Sequence, residues 1–489
     1  MASVRFRRKR TRSAIERSKY RCEYEPLVRV EEVFMLQIMP DADVGANLYA
    51  QYINPQWIRL LDALQMNVTY TRCSGAELHT SDGRVITDFN SGYCVHNIGH
   101  NHPRAIAAIK DELDKEGPAM LQSHVPVLAG QLAARLCKLA GGRLSKVFFG
   151  SSGSEGVEAA IKFARAHTGR SAILGASGGF HGLTCGALSL MTNDFWRKGF
   201  GLLLPDTEFI PYGNTRELEL KLATRSFAAF ILEPIQSEAG VILPSGNYLA
   251  EAQKLCRKYK TLFVLDEVQT GFYRTGSFLA AHQFGVEPDM VVLAKAISGG
   301  LVPCGAVLMS DEIYKSVYSS IQRSLVHTST FSENSLAMRA GLATLDILED
   351  EQLGQRAAMA GERLRRLLAE RLEKYEMFGE VRGAGLLNAV EFKRPKTLKL
   401  RIAFEAFWKI HPALFGQMLV MHLFRDHGIL SQVCGNDFTV LKISPPLTIS
   451  DAQLDRFVSA LDQTVNLIHN SSSFWSEALK IGQRLFRSM

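Results

Sequence analysis

Five short apolar runs in the middle of this 489-residue chain constrain its fold more than any other feature. They are Lys146-Val147-Phe148-Phe149, Ala172-Ile173-Leu174, Phe227 to Leu232, Leu262 to Leu265 and Met290 to Leu293. None alternates apolar with polar residues, so each reads as a strand buried on both faces. Helical stretches such as Ser154 to His167 lie between them, and that order specifies an α/β fold with a mostly parallel sheet covered on both sides. From about residue 335 the texture changes. Asn334 to Tyr375 reads as long charged helix, and Leu386 to Phe392 and Val440 to Ile443 as strands of a smaller α+β domain. Phe474 to Phe486 reads as an amphipathic helix docking on the body through Phe474, Leu479, Leu485 and Phe486, membrane binding being the other use open to it. The expected division is a basic, flexible extension over 1–45, part of a small domain over 46–95, a large domain over 96–334, and the rest of the small domain over 335–489.

Charge narrows the class of protein. The net charge of +7 is carried by residues 1–30, where ten Lys or Arg face three Asp or Glu; the remainder is neutral. The body therefore offers no footprint for nucleic acid, and none is expected as a partner. The run Arg5-Phe6-Arg7-Arg8-Lys9-Arg10-Thr11-Arg12 reads as a solvated arm, contact with RNA, an anionic membrane surface or an acidic partner being the other use open to it. Eight scattered cysteines form no CxxC pair, which points to free thiols in a reducing, cytoplasmic setting and to no metal site. No apolar run approaches the roughly 20 residues of a membrane span.

In open parallel sheets ligands sit at the carboxyl ends of strands, and these ends are rich in polar and small residues here. Gly150-Ser151-Ser152-Gly153-Ser154-Glu155 joins a strand to a helix; its small residues let backbone N–H groups approach an anion, and Ser152 and Ser154 add hydroxyl donors. A glycine turn with a serine cap would look the same. Asp266 ends the run Phe263-Val264-Leu265-Asp266-Glu267, where a carboxylate needs a cation or strong donors: a structural ion pair, a helix cap or a protonated ring nitrogen. Lys295 follows Met290-Val291-Val292-Leu293-Ala294 and precedes Gly299-Gly300. It either snorkels to solvent or is buried, which would depress its pKa and make it a nucleophile toward a carbonyl. Together, a phosphate cradle, a buried Asp and a buried Lys are what pyridoxal 5′-phosphate (PLP) requires, with the Asp keeping the pyridine nitrogen protonated.

With these motifs in order, the chain from about residue 50 to 465 resembles the class III, ornithine/ω-amino-acid type aminotransferases of PLP fold type I. The resemblance implies that Lys295 is the Schiff-base lysine and proton shuttle, Asp266 the pyridinium partner and Gln269 the donor to the cofactor's phenolic oxygen. It places Ser152, Gly153 and Ser154 at the phosphate, Phe180 of Gly179-Phe180-His181-Gly182 on the ring with His181 beside it, and Glu233 near the cofactor. Thr330 would reach the phosphate of the neighbouring subunit, which implies a homodimer with shared sites. For the substrate it implies Tyr93, more loosely Tyr52, and Glu238, a gate glutamate that in some members pairs with a carboxylate-binding Arg.

Two departures bear on the substrate. Lys442, in Val440-Leu441-Lys442-Ile443-Ser444-Pro445-Pro446, stands where that Arg is expected, and Lys offers a point charge rather than a two-pronged fork. Ser332-Glu333-Asn334 stands where two glycines usually precede the Asn. With Phe195, Trp196 and Phe200 in a loop nearby, the expectation is transamination of a terminal amine, a diamine or a long apolar chain, with glutamate and 2-oxoglutarate as partner pair. An aminomutase, a decarboxylase or racemase on the same scaffold, and a retired scaffold serving as a binding protein are the competing readings. Part of the stretch 394–436 is atypical of the family.

Overall fold

The computed structural model describes residues 42–121 and 123–486; the expected basic arm falls outside them. The described residues divide into two units, one ending at Gln56 and one beginning at Trp57. Within the first, Ala42–Tyr52 is helical and Tyr52 is exposed.

The second unit is built on a seven-stranded sheet. Its strands are β1 (Lys146–Gly150), β2 (Ala172–Ala176), β3 (Thr207–Ile210), β4 (Phe227–Leu232), β5 (Leu262–Asp266), β6 (Met290–Leu293) and β7 (Gly305–Met309), in the order β1-β7-β6-β5-β4-β2-β3. All pairings are parallel except those of β7, which runs antiparallel to both neighbours. The five expected strands are present; β3, a short edge strand carrying Glu208, and β7 were not among them. Every residue of β4, β5, β6 and β7 is buried, as continuous apolar strands demand. Each fully buried aliphatic side chain contributes about 1.5–3 kcal/mol relative to exposure.

The strand directions decide where chemistry can occur. β1, β2, β4, β5 and β6 all end at one edge of the sheet, and antiparallel β7 begins there, Gly305 facing Gly150. The helix Gly153–Thr168 leaves that edge behind β1, capped by Ser152, whose hydroxyl accepts from Glu155 N. Its Val157, Ala160, Ile161, Phe163 and Ala164 are buried, and Gly169 ends it at φ 70°, a left-handed value that glycine adopts without strain.

Two smaller sheets join distant parts of the chain. Tyr70–Ser74, Glu77–Thr80 and Val85–Asp88 form an antiparallel meander whose last strand pairs in parallel with Ile429–Leu430. Phe378–Ala384, Leu387–Phe392, Val440–Ile443 and Gln432–Val433 form the other, with Lys442 opposite Ala389. The long helix expected over Asn334–Tyr375 is two helices, Ser335–Asp350 and Leu353–Leu372, because Gln352 at φ 50° breaks the helical path. The atypical stretch holds the helices Leu398–Ile410 and Leu414–His427. The terminal helix Ser472–Phe486 docks through buried Phe474 and Trp475, whose rings meet Phe407. Among the described residues no helix is long and apolar enough to cross a membrane.

Candidate active site

At the shared strand edge lies a cavity of about 520 Å³. Ser152, Gly153, Ser154, Phe180, His181, Glu233, Asp266, Gln269 and Lys295 all line it, although five separate segments supply them.

One wall is the turn after β1. A Cβ on Gly153 would meet Val268 at 2.9 Å, so only glycine fits there. Glu155 folds back and accepts from Ser151 N, and Ser329 donates to its other oxygen at 3.1 Å, tying the Ser329–Asn334 turn to this wall. The helix N-terminus and the hydroxyls of Ser152 and Ser154 give this wall the character of an anion site.

The floor is the end of β5. Asp266 is 4% exposed; it accepts from His181 Nδ1 at 2.8 Å and from Val268 N at 3.1 Å. Burial works against a charge on His181, but the hydrogen bond to Asp266 and its negative charge outweigh burial and raise the His181 pKa. The other ring nitrogen of His181 is buried without a hydrogen-bond partner. Glu233, just beyond β4, accepts from Phe180 N at 2.9 Å and Ser237 N at 3.0 Å. Burial pushes its pKa up to about 7. Phe180 meets the edge of Trp196 with centroids 5.4 Å apart, and Trp196 Nε1 donates to Asn436 at 2.9 Å.

Lys295 enters behind β6 with φ 49°, a left-handed conformation that a non-glycine residue adopts at a cost of about 1–2 kcal/mol. Burial depresses its pKa, and the charge of Asp266 offsets this only in part. A lysine with a lowered pKa in the lining of a cavity can give and take a proton more readily than a surface lysine.

The remaining expected residues lie outside the lining of this cavity. Glu238 and Lys442 form a buried ion pair beside it. Lys442 Nζ also donates to Gln269 Oε1 at 3.2 Å, Gln269 Nε2 donates to Glu238 at 3.1 Å, and Gly435 N donates to Glu238 at 2.9 Å. Burial alone would neutralise both partners; the opposite charge of each reverses this, so the Lys442 pKa is raised and that of Glu238 lowered. Tyr93 is 52% exposed, its ring centroid 5.6 Å from Lys442 Nζ. Ser91 to Cys94 all have positive φ, and Asn90 and Asp88 hold this turn by accepting its backbone N–H groups. Thr330 is exposed in the turn after Ser329. Glu333 adopts φ 63°, the conformation the glycine expected there supplies freely.

Sequence reasoning missed Val268, which fixes the glycine turn, Cys94, 4.0 Å from Gln269, and Asn436, which accepts from Trp196 and from Asn193. Only Val268 had a local signal, being two residues from Asp266. Among the described residues no group of three His, Cys, Asp or Glu is placed to hold a metal ion.

The cavity fits PLP. It has an anion wall for a phosphate, a buried carboxylate on its floor, an aromatic side chain at Phe180 and a buried lysine in its lining.

Comparison with known proteins agrees with this geometry. Residues 61–465 match the family model for class III aminotransferases. The aminotransferase PigE of Serratia sp. is 35% identical over 84% of this chain, which spans only 52% of that relative's length. A putrescine aminotransferase of Pectobacterium atrosepticum is 34% identical over 83% of this chain and 85% of its own. The structure of a thermostable (S)-enantioselective omega-transaminase from Thermomicrobium roseum superposes with a TM-score of 0.78 at 30% identity, covering 88% of this chain and 99% of the other. The protein is thus a PLP-dependent enzyme of the class III aminotransferase family.

Proposed function

We propose that this enzyme moves an amino group from a terminal amine, a diamine or an amine on a long apolar chain, to a keto acid or aldehyde, with glutamate and 2-oxoglutarate as the usual partner pair. The observation that carries the reading is the closed Glu238–Lys442 pair. Lys442 is neutralised and buried there, and an α-carboxylate could engage it only by displacing Glu238. An amine without an α-carboxylate asks for no such displacement. The putrescine aminotransferase relative, named for a diamine, supports the same choice.

PLP, when bound, supplies the aldehyde carbon that carries the amino group and a ring that acts as electron sink. In this reading Ser152, Gly153 and Ser154 hold its phosphate, Phe180 packs on its ring, and Asp266, backed by His181, holds a proton at the ring nitrogen. Gln269 orients the ring's oxygen substituent, and Glu233 fixes the Phe180 backbone. Lys295 takes the proton from the amine-bearing carbon and returns it on the other side of the transfer. Tyr93, Glu238 and Lys442 shape the substrate side.

The same reading includes a homodimer in which Thr330 reaches the partner's phosphate. The exposed apolar side chains of Val125, Leu202, Ile321, Leu325 and Phe331 support a buried contact between copies. It also includes a cytoplasmic location and a PLP-binding portion over 96–334 flanked by a second portion from 46–95 and 335–489.

The test is the visible absorption of the holoenzyme before and after an amine is added without acceptor. Bleaching by 1,4-diaminobutane well below the concentration of L-glutamate that does the same is expected. Bleaching by small α-amino acids in preference to terminal amines would refute the substrate reading.

A further inference from the structure

The helix Leu398–Ile410 turns Leu400, Phe404 and Phe407 into the protein, at 8%, 6% and 1% exposure. Its outer face mixes exposed apolar side chains with positive charge. Leu398 and Ile402, one turn apart, are 61% and 60% exposed, and Trp408 is 47% exposed. Around them stand six exposed cations, Lys393, Arg394, Lys396, Lys399, Arg401 and Lys409. The helix and its approach hold one carboxylate, Glu405, and Arg394 is paired with it. Glu376, from the neighbouring segment, is occupied in accepting from Lys396 N and Thr397 N at 2.9 Å. A groove of about 510 Å³ lies against the helix, with Phe392, Phe404 and Trp408 in its lining and Arg394 and Lys409 beside them.

We infer that this face docks on an anionic lipid bilayer surface. Exposed Leu, Ile and Trp ringed by Lys and Arg make the pattern by which helices lie in the interface, apolar side chains entering among the acyl chains and cations meeting headgroups. Here the opposite face of the helix is already committed to the protein core, so the enzyme sits on the membrane without inserting an element into it. An acidic protein would satisfy the cations, but it would leave Leu398 and Ile402 without a purpose. The sequence supplies a second anionic-surface signal in the ten Lys and Arg of residues 1–30, and stable peripheral binding commonly takes two signals. The inference stands apart from the identity of the amine.

The experiment is co-sedimentation of the full-length holoenzyme with vesicles of phosphatidylcholine alone and of phosphatidylcholine and phosphatidylglycerol in equal parts. Two variants accompany it, L398S/I402S/W408S and K399E/R401E/K409E. The wild type should pellet with the anionic vesicles only, and less as salt rises. Each variant should lower the bound fraction about tenfold while keeping its circular dichroism and its turnover of a soluble amine. Should the apolar variant fold poorly, the charge variant, altered only at exposed positions, gives the result alone. Wild-type protein that ignores anionic vesicles would overturn the inference. So would variants that pellet like the wild type, which would leave binding to the N-terminal arm, or equal retention of wild type and L398S/I402S/W408S on immobilised polyglutamate with equal pelleting by vesicles.

Discussion

The two sides of the active site solve the problem of a buried charge differently. On the cofactor side, Asp266 is held by His181 and by a backbone N–H at its own strand end, and Lys295 stands by with no hydrogen-bonded carboxylate among its described contacts. On the proposed substrate side, Lys442 and Glu238 neutralise each other directly, with Gln269 bonded to both. The first arrangement keeps a lysine ready to change its proton; the second keeps one from doing so. Buried ionisable groups are therefore not alike in function: what their nearest partner does to the pKa decides whether they are reagents or fixtures.

Breaking each side should give different phenotypes. Lys295→Ala should reduce turnover by about 10⁴-fold, measured with saturating amine and acceptor, because the proposed proton transfer at the amine-bearing carbon is assigned to this lysine. Lys442→Met should act on stability first: an uncompensated Glu238 costs about 3–5 kcal/mol in urea unfolding, and the double variant E238Q/K442M should recover most of it. If Lys442→Met melts like the wild type, the pair is not the fixture described.

The pH dependence of the apoenzyme sharpens the contrast. Glu233 holds its proton to about pH 7 when folded and releases it near its ordinary value when unfolded, so its contribution to stability is present in acid and lost as pH rises toward 7. His181, also raised, acts in the same sense, its contribution being lost as pH rises through its folded pKa. Urea midpoints of the apoenzyme should fall from pH 5 toward neutrality, and Glu233→Gln should flatten part of that slope. The smallest effect is expected at Trp196. Trp196→Ala removes an edge contact on Phe180 worth about 0.5–1.5 kcal/mol, which should weaken PLP affinity several-fold in a spectroscopic titration and leave the melting temperature nearly unchanged.

The same contrast explains what could be read in advance. The cofactor side is written at strand ends, where an apolar run followed by Asp266 or Lys295 exposes both structure and chemistry within a few residues. The substrate pair joins positions 204 residues apart, so no spacing marks it; only resemblance suggested that position 442 faces Glu238. Strand β3 escaped notice because an edge strand with one buried residue lacks the continuous apolar signal. The break at Gln352 escaped because nothing in its residue type announces a left-handed backbone. Asn436 closes the stretch 394–436, part of which reads as atypical of the family, and its hydrogen bonds to Trp196 and Gly178 are visible only in three dimensions.

The strand Val85–Asp88 has its parallel partner at Ile429–Leu430, more than three hundred residues later. During synthesis the seven-stranded sheet is complete in sequence once Met309 has emerged, whereas the turn bearing Tyr93 follows a strand still waiting for its neighbour. While the chain is still being made, every strand of the sheet that carries Asp266 and Lys295 is therefore available before Ile429–Leu430 and Lys442 exist. A chain ending before residue 429 would thus carry every strand of that sheet and lack the Glu238–Lys442 pair.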